Sequence, residues 1–482
     1  MSWQNWWQLA KSDYLKLVPI LALAVYIAFI PNQNYPYLVH IDEWVHLAYS
    51  KAMLQAASTT FTDPFFGQGV VGLSTHLEAG FHLFLGVFHR ISGISWLTIF
   101  RYFPSVIFAV TVLSVYVMAR RWGFGWEAAF FTALIPTTVG ILGPAFLVPV
   151  AMGLLYVPLS LFLAFNFRTA WSYLTLFIFA SFLLAIHAPS AIFVGLVLAP
   201  YLLLNLKGNF KHSLAIALAL VIPFLAPFPW IFALLLPTAK SLLSQTPVPT
   251  HIDFPMVIKT YGYLPISLCL LGTFRLVIRG DKKSYGLVFG LLALLALLVT
   301  FYTFHYGVSI LYQRGLMFMM LMLGIIAGAG LAGIRSFRLP RWPVKGNPLP
   351  AKVTGIVLCL VIIGATIAMT LPKRQDTPYY HMINQQDYEA FVWIGNNVGE
   401  GYNKAILDPW KATAFSAITQ KYIYTRIHAR PMPRDQEAAK FLKGGCADTD
   451  FLRKNGISIV YTREPSSNPD LVEIREWVYL LR

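Results

Sequence analysis

Charge is what this chain has least of. Of its 482 residues 12% are charged, and only 21 are acidic. Globular domains carry about 25% charged residues, so composition alone excludes an ordinary soluble domain. Cysteine is scarce as well. Cys269 and Cys359 lie inside apolar runs and Cys446 stands alone in the tail, which implies neither a disulfide framework nor a cysteine metal site. There is no His-Glu-x-x-His pair and no glycine-rich loop of the kind that cradles nucleotide phosphates. The first apolar run is followed by no small-residue cleavage site, so a signal anchor is expected there rather than a cleavable signal. Trp3, Trp6, Trp7 and Tyr14 read as the interfacial belt of that anchor. Internal repeats and low-complexity tracts are also missing.

What is there is apolar surface. Hydrophobic residues make up 57% of the chain and aromatic residues 15%. Runs of about 20 apolar residues predict a mostly α, polytopic transmembrane helical bundle. Eleven spans are expected, near 14–30, 98–119, 126–142, 146–166, 171–186, 189–206, 213–236, 257–278, 286–303, 313–334 and 353–371. The net charge of +16 would favour nucleic acid in a soluble protein. Here the cations cluster in short loops between spans, where the positive-inside bias accounts for them; membrane lipids, not nucleic acid, are the expected partners. With eleven spans and a cytoplasmic N-terminus, the basic loops at Arg120-Arg121, Arg168, Lys207 with Lys211, Arg275 through Lys283, and Arg335 through Lys345 all fall inside. That count puts the tail on the extracytoplasmic side, and a plasma (inner) membrane location is expected.

Two polar regions break the apolar pattern. An outer loop, 31–97, follows the first span inside the membrane domain of 1–371. Its segment 77–92 predicts an interfacial helix, with Glu78, His82 and His89 on one stripe and Leu77, Phe81, Phe84 and Phe88 on another. Residues 372–482 have ordinary charge frequency and predict a small C-terminal extracytoplasmic α/β domain. Its helices are expected at Asp387–Asn396, Gln436–Leu442 and Asp450–Asn455, and its strands at Ala405–Leu407, Ile457–Tyr461 and Trp477–Leu481.

The chemistry concentrates in His40-Ile-Asp-Glu-Trp-Val-His46. In a helix from about residue 41, Asp42, His46 and Tyr49 share one face. Ile41, Val45, Ala48 and Ala52 form an apolar face suited to lie on a bilayer. A plainer reading is that Asp42 and Glu43 merely favour the helix N-terminus. Further polar groups are His76, Glu78 and His82 later in the loop, and His187-Ala-Pro-Ser190, where a proline after the histidine should expose a last helical turn. Others are the segment Tyr302–Arg314 with His305, and the loop 237–256 with Lys240, His251 and Asp253. Arg314 suits a phosphate, since its planar fork binds two oxygens. Asp448-Thr-Asp450 is explained by helix capping, so no metal is expected.

In order, these residues resemble the GT-C superfamily of membrane glycosyltransferases over about residues 10–335. The resemblance is carried by the acidic pair Asp42-Glu43 after a first span and by Ala79-Gly-Phe-His-Leu-Phe-Leu-Gly-Val-Phe. It continues through Arg101-Tyr-Phe-Pro-Ser, Ala119-Arg-Arg-Trp-Gly123 and His187-Ala-Pro. Where many members have Lys-Pro-Pro or Tyr-Pro-Pro, this chain has Thr75-His-Leu-Glu78. The resemblance implies a polyprenyl-phosphate sugar donor, a glycan, lipid or protein acceptor, no cofactor, and inversion at the sugar. It implies Asp42 as general base, with Glu43 orienting the acceptor or supporting Asp42. Arg314 and His187 would hold the leaving phosphate, with His46, His76, Glu78, His82 and His305 as further substrate contacts. Two other classes stay open: a flippase for lipid-linked molecules, which calls for polar residues at mid-depth in several spans, and a non-catalytic subunit that presents the tail.

Overall fold

The computed structural model describes the chain apart from residues 1–2, 72–77, 139, 227–253, 337–348, 376–378, 380 and 428–430. The helices in chain order are α1 Trp3–Phe29, α2 Ile41–Ala56, α3 Ala79–Ser92, α4 Trp96–Arg120, α5 Gly125–Ala133, α6 Pro149–Asn166, α7 Ala170–Asn205, α8 Phe210–Leu225, α9 Phe254–Tyr261, α10 Tyr263–Arg279, α11 Lys282–Phe304, α12 Ser309–Arg335 and α13 Leu349–Gln375. The chain divides into two compact units. The first holds residues 1–31 and 102–378, and the second joins 32–101 to 379–482.

Among the described residues seven helices are long and apolar enough to cross a membrane, not eleven. The difference has local causes. α7 counts once in that tally although it is two helices meeting at His187, as expected from 171–186 and 189–206: His187 has a non-helical φ of −166° and ψ of 90°, and Arg168 and Asn209, which flank the two ends of α7, are 2.9 Å apart. The expected span 126–142 is helical only through α5, and 213–236 is described as a helix only to Leu225. Around Gly262 the chain breaks α9 from α10, because Gly262 adopts a φ of 115° that favours glycine.

The first unit is built around α12. Its apolar window is 89% buried, against 22% for α13, so α12 is the central helix and α13 a peripheral one. Close approach explains the glycines of α12. A Cβ added at Gly330 would lie 2.0 Å from the Leu268 carbonyl oxygen, and one at Gly272 would lie 1.9 Å from that of Ile326. Helices in a bilayer gain little from the hydrophobic effect between them, so small residues that let backbones touch hold α10 to α12. The buried Glu127 carboxylate on α5 is paired with Arg335, 3.0 Å away at the end of α12.

The second unit is α/β. Two short strands, β1 Phe61–Thr62 and β2 Val70–Val71, form a hairpin in the loop. In the tail, β3 Lys404–Ile406, β4 Tyr422–Ile423, β5 Ile459–Tyr461, β6 Leu471–Arg475 and β7 Val478–Leu481 form one sheet in the order β4-β3-β5-β7-β6. The first three are parallel, and β7 runs antiparallel to both β5 and β6. Around the sheet lie α14 Gln385–Asn397, α15 Ala412–Thr419, α16 Pro433–Lys443 and α17 Thr449–Lys454. Each tail helix and strand expected from the sequence is present within three residues of its expected ends; α15, β4 and β6 were not foreseen. α15 reads Ala-Thr-Ala-Phe-Ser-Ala-Ile-Thr, small and buried nearly all round, so it lacks the polar face that announces a helix.

That helix is what the loop packs on. α2 lies against α15, the Lys51 Nζ donates to the Ala417 carbonyl at 2.7 Å, and the Ser416 hydroxyl donates to the Pro64 carbonyl at 2.7 Å. The Ile423 amide donates to the Phe65 carbonyl at 2.7 Å, and the Tyr35 hydroxyl to the Ile383 carbonyl at 2.8 Å. The face of α2 expected to rest on a bilayer is therefore covered by protein: Ile41, Val45 and Ala48 are all buried. Asp387 of α14 completes the unit, accepting from the Lys411 Nζ at 2.8 Å, the Tyr461 hydroxyl at 2.7 Å and Arg463 Nη2 at 3.2 Å.

Candidate active site

The start of α2 separates the two neighbouring carboxylates. His40 is the N-cap, and its Nδ1 accepts from the Asp42 amide at 3.1 Å. Glu43 stands at the third helical position, 1% exposed, and its Oε2 accepts from the amides of Val39 at 3.0 Å and His40 at 3.1 Å. This reciprocal arrangement is a capping box, which satisfies donors that a helix start otherwise leaves unpaired. The plainer reading of an acidic helix start thus describes Glu43. Asp42 keeps its side chain 21% exposed, with Oδ2 3.8 Å from His40 Nδ1.

One turn along the same face, His46 is 5% exposed and its Nδ1 lies 3.0 Å from Nε2 of His82 on α3. The two imidazoles share a proton on that bond. Tyr49 lies beside them, its ring 5.2 Å from that of His82, and stands edge-on to Phe65 at 5.5 Å. His82 is only 1% exposed and shares its burial with Phe81 and Leu85, so it belongs to the inner side of α3 and not to an outer polar stripe. A cavity of about 170 Å³ opens beside it, lined among others by Ser50, Leu54 and Arg90.

The tail contributes a cation that sequence reasoning missed. The Arg426 guanidinium lies 4.0 Å over the Phe65 ring, and its Nη1 is sealed from solvent with no hydrogen-bond partner among the described residues. Burial pulls Arg426 below its ordinary range, while Tyr49, Asp63 and Asp42 favour its charged form. Asp63 itself accepts from the Phe65 amide at 2.9 Å, which turns the chain and sets the ring under the guanidinium. The only signal in the sequence was Asp63-Pro-Phe-Phe; nothing around Thr425-Arg426-Ile427 marks the arginine. Farther along α2, burial draws Lys51 down to about 8.

The remaining candidates divide as follows. Glu78 precedes α3 as its N-cap, with its carbonyl accepting from the Phe81 amide at 3.0 Å. His76 lies outside the described residues, as do Lys240, His251 and Asp253. The other three are in the first unit. His187 is not at an exposed helix tip: it is 2% exposed, and its Nδ1 is 2.7 Å from the Ser190 hydroxyl across the bend of α7. His305 is exposed and ends α11 in a left-handed conformation, φ 51°. Arg314 is half-buried in the second turn of α12, which begins at Ser309, before the arginine. Asp448 caps α17, its Oδ1 accepting from the Phe451 amide at 2.8 Å. Among the described residues no three His, Cys, Asp or Glu side chains converge at metal-binding distance.

No family model and no curated protein matches the sequence. Solved structures do match in fold. The oligosaccharyltransferase of Archaeoglobus fulgidus superposes with a TM-score of 0.62 at 11% identity, over 92% of this chain and 69% of that one. ArnT from Cupriavidus metallidurans, solved with undecaprenyl phosphate, superposes with a TM-score of 0.56 at 13% identity, over 100% and 98%. The arabinofuranosyltransferase AftD from Mycobacteria gives 0.55 at 14% identity, over 95% of this chain and 37% of its own. At 11–14% identity the likeness to these three is one of fold, and it is the fold expected from the sequence resemblance.

Proposed function

We propose that the protein is a membrane glycosyltransferase that moves a sugar from a polyprenyl-phosphate donor to an acceptor on the extracytoplasmic side of the plasma membrane. The observation that carries this reading is the division of labour at α2. Glu43 is sealed into the helix cap, while Asp42, its neighbour, stays partly exposed beside the His46–His82 pair and within the field of Arg426. The reading is also supported by the neighbours in fold, of which ArnT is solved with undecaprenyl phosphate and the archaeal oligosaccharyltransferase with a dolichol-phosphate and an inhibitory peptide.

A lipid-phosphate sugar is already activated and needs no nucleotide. Asp42 takes the proton from the acceptor hydroxyl or amide, and the acceptor atom bonds to the anomeric carbon. The bond from that carbon to the phosphate oxygen breaks, and its electron pair leaves with the polyprenyl phosphate. Attack from the face opposite the phosphate inverts the configuration. Charge develops on the leaving phosphate, so a fixed cation lowers the barrier. On sequence grounds Arg314 holds that phosphate. Arg426 lies within electrostatic reach of Asp42. His46 and His82, joined to each other, form the polar wall against which sugar hydroxyls are oriented.

The test is direct. Purified protein is incubated with a panel of radiolabelled polyprenyl-phosphate sugars and consumption of each is followed. The expected result is turnover of one donor that Asp42→Asn abolishes. No turnover of any donor, together with a silent Asp42→Asn in cells, would remove the reading.

A further inference from the structure

A second charged region lies in the first unit, among residues that the transfer chemistry proposed above does not use. α4, α6, α7 and α10 end, and α8 and α11 begin, around one open cavity of about 580 Å³. Its charged lining is Arg121, Arg168, Arg279, Asp281, Lys282 and Lys283: five cations and one carboxylate, drawn from three separate loops. The carboxylate is already engaged. Asp281 caps α11 by accepting from the amides of Lys283 at 3.0 Å and Ser284 at 2.9 Å, and it pairs with Arg279 at 2.9 Å. Two of the cations are held by neutral amides: Arg168 donates to Asn209 Oδ1 at 2.9 Å, and Lys283 to Asn166 Oδ1 at 3.4 Å. An amide fixes a cation's position without cancelling its charge.

The positive-inside bias accounts for cations in these loops but not for their gathering around one cavity, where like charges repel. The volume falls in the range of small-molecule sites and exceeds what an inorganic ion fills. The cavity sits where membrane-spanning helices end, the level of lipid head groups. Guanidinium forks match phosphate oxygens two at a time. We propose that this cavity binds the phosphate-bearing head group of an anionic phospholipid.

The experiment uses full-length protein in a neutral detergent, titrated with short-chain phosphatidylglycerol, short-chain phosphatidylcholine or inorganic phosphate, and read by microscale thermophoresis. Phosphatidylglycerol should bind at least tenfold more tightly than either of the others. R168Q/K283Q should weaken it about 25-fold, at about fivefold per charge removed near a membrane surface. K207Q/K211Q removes two exposed cations that do not line the cavity, one just before α8 and one in its first turn, and should leave binding unchanged. K282Q, at an exposed helix start, should cost about fivefold and keeps the test open should the double variant fold poorly. Equal binding of the zwitterionic lipid would overturn the proposal. So would equal loss in R168Q/K283Q and K207Q/K211Q, which would reveal only diffuse charge. Inorganic phosphate displacing the lipid at equal affinity would reassign the cavity to a soluble anion.

Discussion

The two charged regions of this molecule are built on opposite rules. In the second unit, charge is balanced inside the protein: Glu43 is spent on backbone amides, Asp387 is surrounded by Lys411, Tyr461 and Arg463, and Arg426 lies among Asp42, Asp63 and a phenyl ring. At the helix ends of the first unit, five cations face one carboxylate that is already bonded. A chain with 21 acidic residues can neutralise only some of its 37 Lys and Arg. The lesson is that buried carboxylates mark what the protein completes by itself, and unbalanced cations mark what it completes with something else.

Four predictions break or sharpen that comparison. The largest effect belongs to Asp42, the carboxylate not absorbed by the cap. Asp42→Asn should cost about 10²–10⁴-fold in transfer rate, with the melting profile unchanged, in a single-turnover assay with labelled donor. Wild-type turnover would remove Asp42 as base. Next comes Asp387, the most fully bonded carboxylate. Asp387→Ala leaves Lys411 and Arg463 without their partner, and breaking a buried pair costs about 3–5 kcal/mol, so the second unit should unfold earlier in urea. Burial pushes Asp387 up, but Lys411, the Asn384 amide and Tyr461 outweigh it and hold the carboxyl below the usual range. A depressed carboxylate stabilises above its unfolded pKa of about 3.9 and loses that contribution as pH falls further. The wild-type protein should therefore lose stability on acidification below about pH 4, and Asp387→Ala should flatten the loss.

Glu43 should behave unlike its neighbour. Glu43→Gln weakens the cap and should cost stability of about 0.5–2 kcal/mol, the range for lost helix caps, while retaining most of the turnover. A stable Glu43→Gln without turnover would reverse the two roles. The smallest effect is at Lys51. Its pKa, drawn down to about 8 by burial, lies below the unfolded value of about 10.4. The unfolded state then binds more protons between these values, so stability should rise as pH goes from 8 towards 10. Lys51→Met should remove that rise in thermal melts, and an unchanged slope would place the titration elsewhere.

The candidate site was legible where it is local. Asp42, His46 and Tyr49 share one face by helical spacing alone, and α2 puts them there. Glu43's cap was only half legible, because histidine is an unusual N-cap and His40 did not announce one. Arg426 was not legible at all: it lies 384 residues beyond Asp42, and only the packing of β4 beside the loop brings it to Phe65. His187 was half legible. A proline after histidine predicts a helix break, and the backbone is non-helical at His187, but the pattern does not say that the histidine is buried.

The sequence by itself determined the membrane class, the helical bundle, the α/β tail and the acidic helix start, because hydrophobic runs, periodicity and capping are properties of neighbours along the chain. Tertiary structure decided which carboxylate is sealed and which is open, that the loop 32–101 forms one compact unit with the tail, that His46 meets His82, and that cations from three loops surround one cavity. Those are contacts between residues tens to hundreds of positions apart, fixed by how helices and sheet pack, and no local pattern encodes them.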